Sequence, residues 1–456
     1  MNKENKMGVM PVKKLIISMS LPMMISMLVQ ALYNVVDSIF VSNIIGESIT
    51  AGEDALTAVT LAFPMQNLMI ALGSGTGVGI NALLSRSLGE KKFERANSAA
   101  NMGILLTFIN YLIFLVVGIF VAASFISSQT DSPVIASYGA TYLRIICCCS
   151  LGLFFQMTFE RLLQSTGKTF YSMISQATGA IINIIFDPLL IFGIGPFPML
   201  GIAGAAYATI LGQFIGASIG LFCNLKYNKE IVISFKQILK PEFDAIKEIM
   251  FVGIPSILMM SIGSVMTYMI NRILGMFSST ATAVFGVYFK LQSFFFMPVF
   301  GLNNGLIPVL AYNYGARYKE RIKEALRFAV ILAVSIMVTG TLAFQLFPAL
   351  LLSLFNSSAE MTAIGIPALR IISLSFPVAG LCIAMGSVFQ AFSKGTYSLM
   401  VSVGRQLVVL IPAAWLLAQT GNLHLVWFAF PIAEIASLTI SVILFRRLYK
   451  NLIAAL

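Results

Sequence analysis

Charge is scarce in this chain: Asp, Glu, Lys and Arg make up 10% of 456 residues, while 58% are hydrophobic. A soluble domain carries roughly 25% charged residues, so a water-soluble globule is excluded. Histidine is nearly absent, with His424 alone, and three of the five cysteines are consecutive, at Cys147, Cys148 and Cys149. No CxxC, HExxH or mixed His/Cys ligand set can be assembled from them, which sets aside metalloenzyme and redox chemistry. The three cysteines read as small apolar fillers of a span. Gly73, Gly75, Gly77 and Gly79 have the glycine density of a nucleotide loop, but they follow no strand and lack the terminal Gly-Lys-Ser/Thr. Close helix packing through small residues is their reading.

What the chain has is long apolar runs. Twelve reach helix-spanning length, at residues 16–41, 55–83, 96–122, 134–160, 170–194, 201–223, 246–275, 281–311, 325–348, 362–390, 396–418 and 424–445, where about 20 residues suffice to cross. Backbone groups in hydrocarbon must bond internally, and the runs do not alternate as barrel strands do, so helices are expected. The basic N-terminus carries no cleavage pattern before Tyr33, Asn34 and Asp37, and reads as a tail entering a retained helix.

The net charge of +11 acquires its meaning from this map. Lys3, Lys6, Lys13 and Lys14 precede the first span, and Arg86, Lys91, Lys92 and Arg95 follow the second. Lys168 follows the fourth, and Lys226, Lys229, Lys236, Lys240 and Lys247 follow the sixth. Arg317, Lys319, Arg321, Lys323 and Arg327 follow the eighth, Lys394 the tenth, and Arg446, Arg447 and Lys450 the last. The connections on the other side hold no Lys or Arg, only Glu47, Glu53, Asp54, Asp131 and Glu360. The positive-inside rule then puts both termini in the cytoplasm of a multi-pass cell-membrane protein, and the basic excess calls for no nucleic acid.

The two halves repeat. At an offset of 226 the Leu143 to Ile146 segment meets Leu369 to Ile372, Gln164 meets Gln390, Lys168 meets Lys394, and Glu94 and Arg95 meet Glu320 and Arg321. Leu21 and Pro22 meet Ile254 and Pro255 at an offset of 233. Six spans per copy is an even number, so the repeat is parallel, about an axis along the membrane normal, as in secondary transporters. The expected organisation is an N-terminal six-helix lobe over residues 1–225, a partly helical cytoplasmic linker over 226–248, and a C-terminal six-helix lobe over 249–456.

A carboxylate within a span costs on the order of 2.5–3.5 kcal/mol on insertion scales, which makes it a functional candidate. Asp37, Asp187 and Glu434 qualify. Gln30, Tyr33, Asn34 and Asp37 share one helical face, and Gln176, Gly179, Asn183 and Asp187 another. Two carboxylates in one poorly hydrated site cannot both ionise cheaply, so the pair should take a proton or Na⁺, with Asn34 and Asn183 as neutral ligands. Pro188 frees the carbonyl one turn earlier as a further ligand. In the other half Lys290 and Arg405 are positioned to neutralise Glu434 as a structural ion pair. Arg144, Arg272 and Arg370 are expected to snorkel at the outer boundary, and Glu160 and Arg161 to sit at the inner interface. The 24 Met and 36 Phe suit an adaptable cavity for amphipathic cations, although most are ordinary membrane-helix residues.

Several segments together resemble the multidrug and toxic compound extrusion (MATE) antiporters, in the branch of the DinF-like and MepA-like exporters. They are Ser20, Leu21 and Pro22; Tyr33, Asn34 and Asp37 through Phe40; Ser85 through Gly89; Asn183, Asp187 and Pro188; and Gly201 through Thr209. The resemblance covers nearly the whole chain. It implies two six-helix lobes exchanging outward- and inward-open states, with H⁺ or Na⁺ entry driving export of small, mostly cationic amphipathic compounds by a monomer without cofactor. It also implies that Asp37, Asn183, Asp187 and Thr209 form the ion site. A NorM-like branch places a glutamate two turns into the seventh span; Gly263 stands there in this chain. The alternatives are a lipid-linked saccharide flippase of the same superfamily, disfavoured by twelve spans and few central basic residues, and an ion channel, disfavoured by the absence of a pore loop or rings of like charge.

Overall fold

The protein is described by a computed structural model over residues 5–44, 51–355 and 357–455. Lys3 and Glu47, which enter the loop asymmetry above, lie outside the described residues. Among the described residues every regular element is a helix. Ten of the expected spans are single long helices: Val12–Ser42, Ala51–Gly89, Phe93–Phe120, Thr169–Phe192, Ile202–Tyr227, Phe243–Gly275, Ser279–Gly315, Lys319–Leu346, Gly395–Ala418 and Leu423–Ile453. The fourth and tenth are instead bent pairs, Pro133–Cys148 with Leu151–Ser165 and Ala359–Ser373 with Phe376–Ala391, each turning by 46°.

The bends were not legible as such in the apolar runs, yet they obey the repeat. At the first, Ser150 Oγ donates to the Cys147 carbonyl at 2.8 Å; at the second, Ser375 Oγ donates to Ile372 at 2.6 Å. A hydroxyl that takes the carbonyl three residues back competes with the helical ladder and bends it. Helix starts follow ordinary capping, with Ser132, Ser278 and Ser358 accepting from the backbone N–H three residues on.

The chain forms two compact units, one of residues 1–24, 89–91 and 254–456 and the other of 25–88 and 92–253. The division falls inside the first span, two residues after Pro22, and inside the seventh, one residue before Pro255. Each of these spans therefore begins in the unit formed mainly by the other half of the sequence. Glycines make the docking close. An added Cβ at Gly305 would lie 2.7 Å from Ser20 Cα, one at Gly301 2.6 Å from Met24 Cα, and one at Gly79 2.1 Å from the Ile249 carbonyl oxygen.

A repeat-related arginine holds each start. Arg95, opening the third span, bonds the Glu248 carboxylate. Arg321, opening the ninth, donates to the carbonyls of Met7 at 3.0 Å and Met10 at 2.8 Å and to Asn313 Oδ1 at 2.9 Å. The linker is tied to the third span as well. Asn97 accepts from Val232 N at 2.8 Å, Asn101 accepts from Ser234 N at 2.9 Å, and Ser98 bonds Glu242. Between the end of the sixth span at Tyr227 and the start of the seventh at Phe243, its helical part is the single turn Phe235–Ile238.

Candidate functional site

The fifth and sixth spans cross on glycine. An added Cβ at Gly212 would fall 2.5 Å from the Gly179 carbonyl oxygen, and one at Gly179 2.9 Å from that of Gly212. Gly216 and Gly220 continue the contact face one and two turns on, against Gln156 and against Phe159 and Ser175. Backbones this close let short polar side chains on facing helices meet without long linkers. Asn183 lies one turn past Gly179 and Thr209 just before Gly212, so the crossing presents the two side chains to each other.

The Asn183 amide is best satisfied with its nitrogen on Asp187 Oδ2 at 3.3 Å and its oxygen accepting from Thr209 N at 3.1 Å and Thr209 Oγ1 at 3.2 Å. Asp187 is fully buried, and its carboxyl lies near enough to that of Asp37 of the first span for the two to interact directly. Asp37 Oδ1 is buried with no hydrogen-bond partner among the described residues. Asp37, Asn183, Asp187 and Thr209 thus form one cluster. Tyr33, on the face of Asp37, is near enough to both carboxyls to interact with them electrostatically. Gln30 is one layer away, accepting from Gln176 Nε2 at 3.0 Å.

Asn34 does not join. It is exposed, whereas Asp37 and Tyr33 are partly buried, because residue 34 lies at the edge of the helical arc centred on residues 30 and 37. Two other residues complete the site. Gln66 of the second span donates to the Tyr142 hydroxyl at 3.1 Å, and Tyr142, 3% exposed, interacts electrostatically with Asp37 and Asp187. Gln66 is a polar residue in an apolar run two positions after Pro64, a usable signal; Tyr142 offered none.

Glu160 and Arg161, expected at the membrane interface, are buried inside the unit. Glu160 accepts from Gln156 at 3.0 Å and from Ser175 at 3.4 Å, while Arg161 donates to Gln164 at 2.9 Å. The glycine-rich stretch of the second span explains the space they occupy, since an added Cβ at Gly77 would lie 2.7 Å from Arg161 Cγ.

In the other unit Arg405 Nη1 donates to Glu434 Oε1 at 2.8 Å, and Glu434 Oε2 is buried without a partner among the described residues. Arg405 lies in a π-helical segment, Val403–Leu410, of the eleventh span. Lys290 takes no part; its ammonium sits over the Phe355 ring, 6.0 Å from the centroid. At Gly263 the nearest neighbour of an added Cβ is Gln406 Oε1 at 3.9 Å, and no acid occupies the place.

The MatE family profile matches residues 22–189 and 255–416, one block in each copy of the repeat. A protein of Shewanella oneidensis named an FAD transporter is 27% identical over 443 residues, covering 93% of this chain and 92% of that protein. The multidrug export protein MepA of Staphylococcus haemolyticus is 25% identical over 421 residues, covering 92% and 90%. A solved structure, the outward-facing conformation of a multidrug resistance MATE family transporter of the MOP superfamily, is similar with a TM-score of 0.91 and 25% identity, over 99% of both chains.

Proposed function

The chain belongs to the MatE family, in its MepA-like branch, whose members are multi-pass membrane transporters of twelve helices in two lobes and not enzymes. From that premise we propose that it exports small amphipathic compounds by alternating access, driven by cation entry through Asp37, Asn183, Asp187 and Thr209. The observation that carries this reading is the pairing of two interacting carboxyls, Asp37 and Asp187, in one membrane-embedded cluster. Two ionised carboxylates in one poorly hydrated site repel each other, so the pair favours taking up a proton or a cation. The site can hold H⁺ as cargo and release it. Na⁺ is the second reading, favoured by the partnerless Asp37 Oδ1 in a cluster that also holds the neutral oxygens of Asn183 and Thr209.

Cationic amphipathic cargo accords with the MepA relatives, named multidrug export proteins. The test is efflux of ethidium from loaded proteoliposomes under separately imposed pH and Na⁺ gradients. A pH gradient alone should drive uphill efflux. Transport that runs equally fast with neither gradient would contradict ion coupling, and a response to Na⁺ alone would select the second ion.

A further inference from the structure

We propose that the C-terminal unit carries a second ligand site, in the groove between the seventh and eleventh spans, for the anionic end of an aromatic cargo. This rests on the transporter reading above and adds the cargo chemistry that this part of the molecule takes. The groove has a volume of about 660 Å³ and is lined by Met269, Asn271, Arg272, Met276, Pro412 and Trp415 among others. Its position in the repeat is informative. The seventh-span residues flank Ile270, which the 233 offset sets opposite Asp37, and Pro412 precedes Ala413, which the 226 offset sets opposite Asp187. Ile270 is itself fully buried and neither it nor Ala413 lines the groove, so the groove lies beside the counterpart of the carboxyl pair and presents a guanidinium.

Arg272 makes no hydrogen bond or ion pair among the described residues. Elsewhere in this unit Arg405 is held by Glu434 at 2.8 Å and Lys290 sits over the Phe355 ring, and no acid lines the groove. A cation kept within a membrane helix is costly unless it meets an anion or water. Snorkelling accounts for Arg272 by itself, one turn from the helix end at Gly275, but not for the walls around it. Trp415 is 51% exposed and offers a ring face, Met269 and Met276 offer adaptable apolar contact, and the Asn271 amide adds donors. A planar guanidinium pairs bidentately with a carboxylate or phosphate, while a cationic head at the same point would be repelled.

The test uses the full chain in phosphatidylcholine nanodiscs, with FAD as the anionic aromatic probe. The chain has two tryptophans, and Trp427 is fully buried, so Trp415 emission reports on the groove. FAD should quench it saturably, with equilibrium dialysis giving the same affinity. Arg272→Gln should weaken FAD binding by about tenfold or more, Arg272→Lys should recover part of it, and Lys290→Gln should leave it unchanged. Equal FAD affinity in wild type and both Arg272 variants overturns the proposal. So does loss of FAD binding when phosphatidylglycerol replaces phosphatidylcholine, which would identify a lipid headgroup site. Ethidium efflux by the wild type, measured in parallel, separates the two readings: its failure to respond to an ion gradient defeats the transport mechanism and leaves Arg272-dependent FAD binding standing.

Discussion

Asp187 and Asp37 reach each other from different helices, and the side chains around them determine what the pair can do. Replacing either by Asn should abolish uphill ethidium efflux while leaving ethidium binding measurable by fluorescence; loss of binding with retained pumping would contradict the assignment. Asn183→Ala removes the bridge from Asp187 to Thr209 and should weaken proton or Na⁺ dependence by roughly tenfold, the worth of one hydrogen bond to a charged group. Membrane-embedded acids are so costly that Asp37 and Asp187 could be singled out from sequence, and Asn183 came with them on the same face. Thr209 was reached only through the family resemblance, because an apolar Ala-rich stretch gives no reason to prefer one hydroxyl. Gln66 and Tyr142 escaped because periodicity describes one helix at a time. Asn34 was placed with Asp37 because spacing alone cannot tell the centre of a helical face from its edge.

Among the elements, the crossing of the fifth and sixth spans leaves little room. Gly212→Val would drive a side chain into the Gly179 backbone, 2.5 Å from an added Cβ, and overpacking of this kind costs about 1–3 kcal/mol. A lower unfolding temperature together with loss of ion dependence is the expected outcome; an unchanged melting curve would contradict the close crossing. The arginine latches give a second prediction. Arg95→Ala and Arg321→Ala each release the start of a long span, so limited proteolysis should cut faster at the linker in the first variant and at the N-terminal segment in the second. Identical digestion patterns would remove the latch role. The spans and the repeat were legible because apolar length and residue identity at a fixed offset are sequence properties. The two bends were not, since a serine in an apolar run is also common in a straight helix.

For the whole molecule, the loop asymmetry predicts both termini and residues 226–248 in the cytoplasm. A single cysteine at Lys236, in a variant with the five native cysteines replaced, should react with an impermeant maleimide only after cells are opened. Reaction in intact cells would invert the topology. The central claim is that ion entry through Asp37 and Asp187 drives cargo out. A potential of 100 mV supplies about 2.3 kcal/mol per charge, so one charge moved per cycle sustains roughly fiftyfold accumulation. The most direct measurement is the steady-state ethidium ratio across proteoliposomes held at a fixed ion gradient and potential, comparing wild type with the Asp37→Asn, Asp187→Asn double variant. The account predicts a large ratio for the wild type and a ratio no greater than that of protein-free vesicles for the double variant; a double variant that holds the wild-type ratio with the same ion dependence would contradict it.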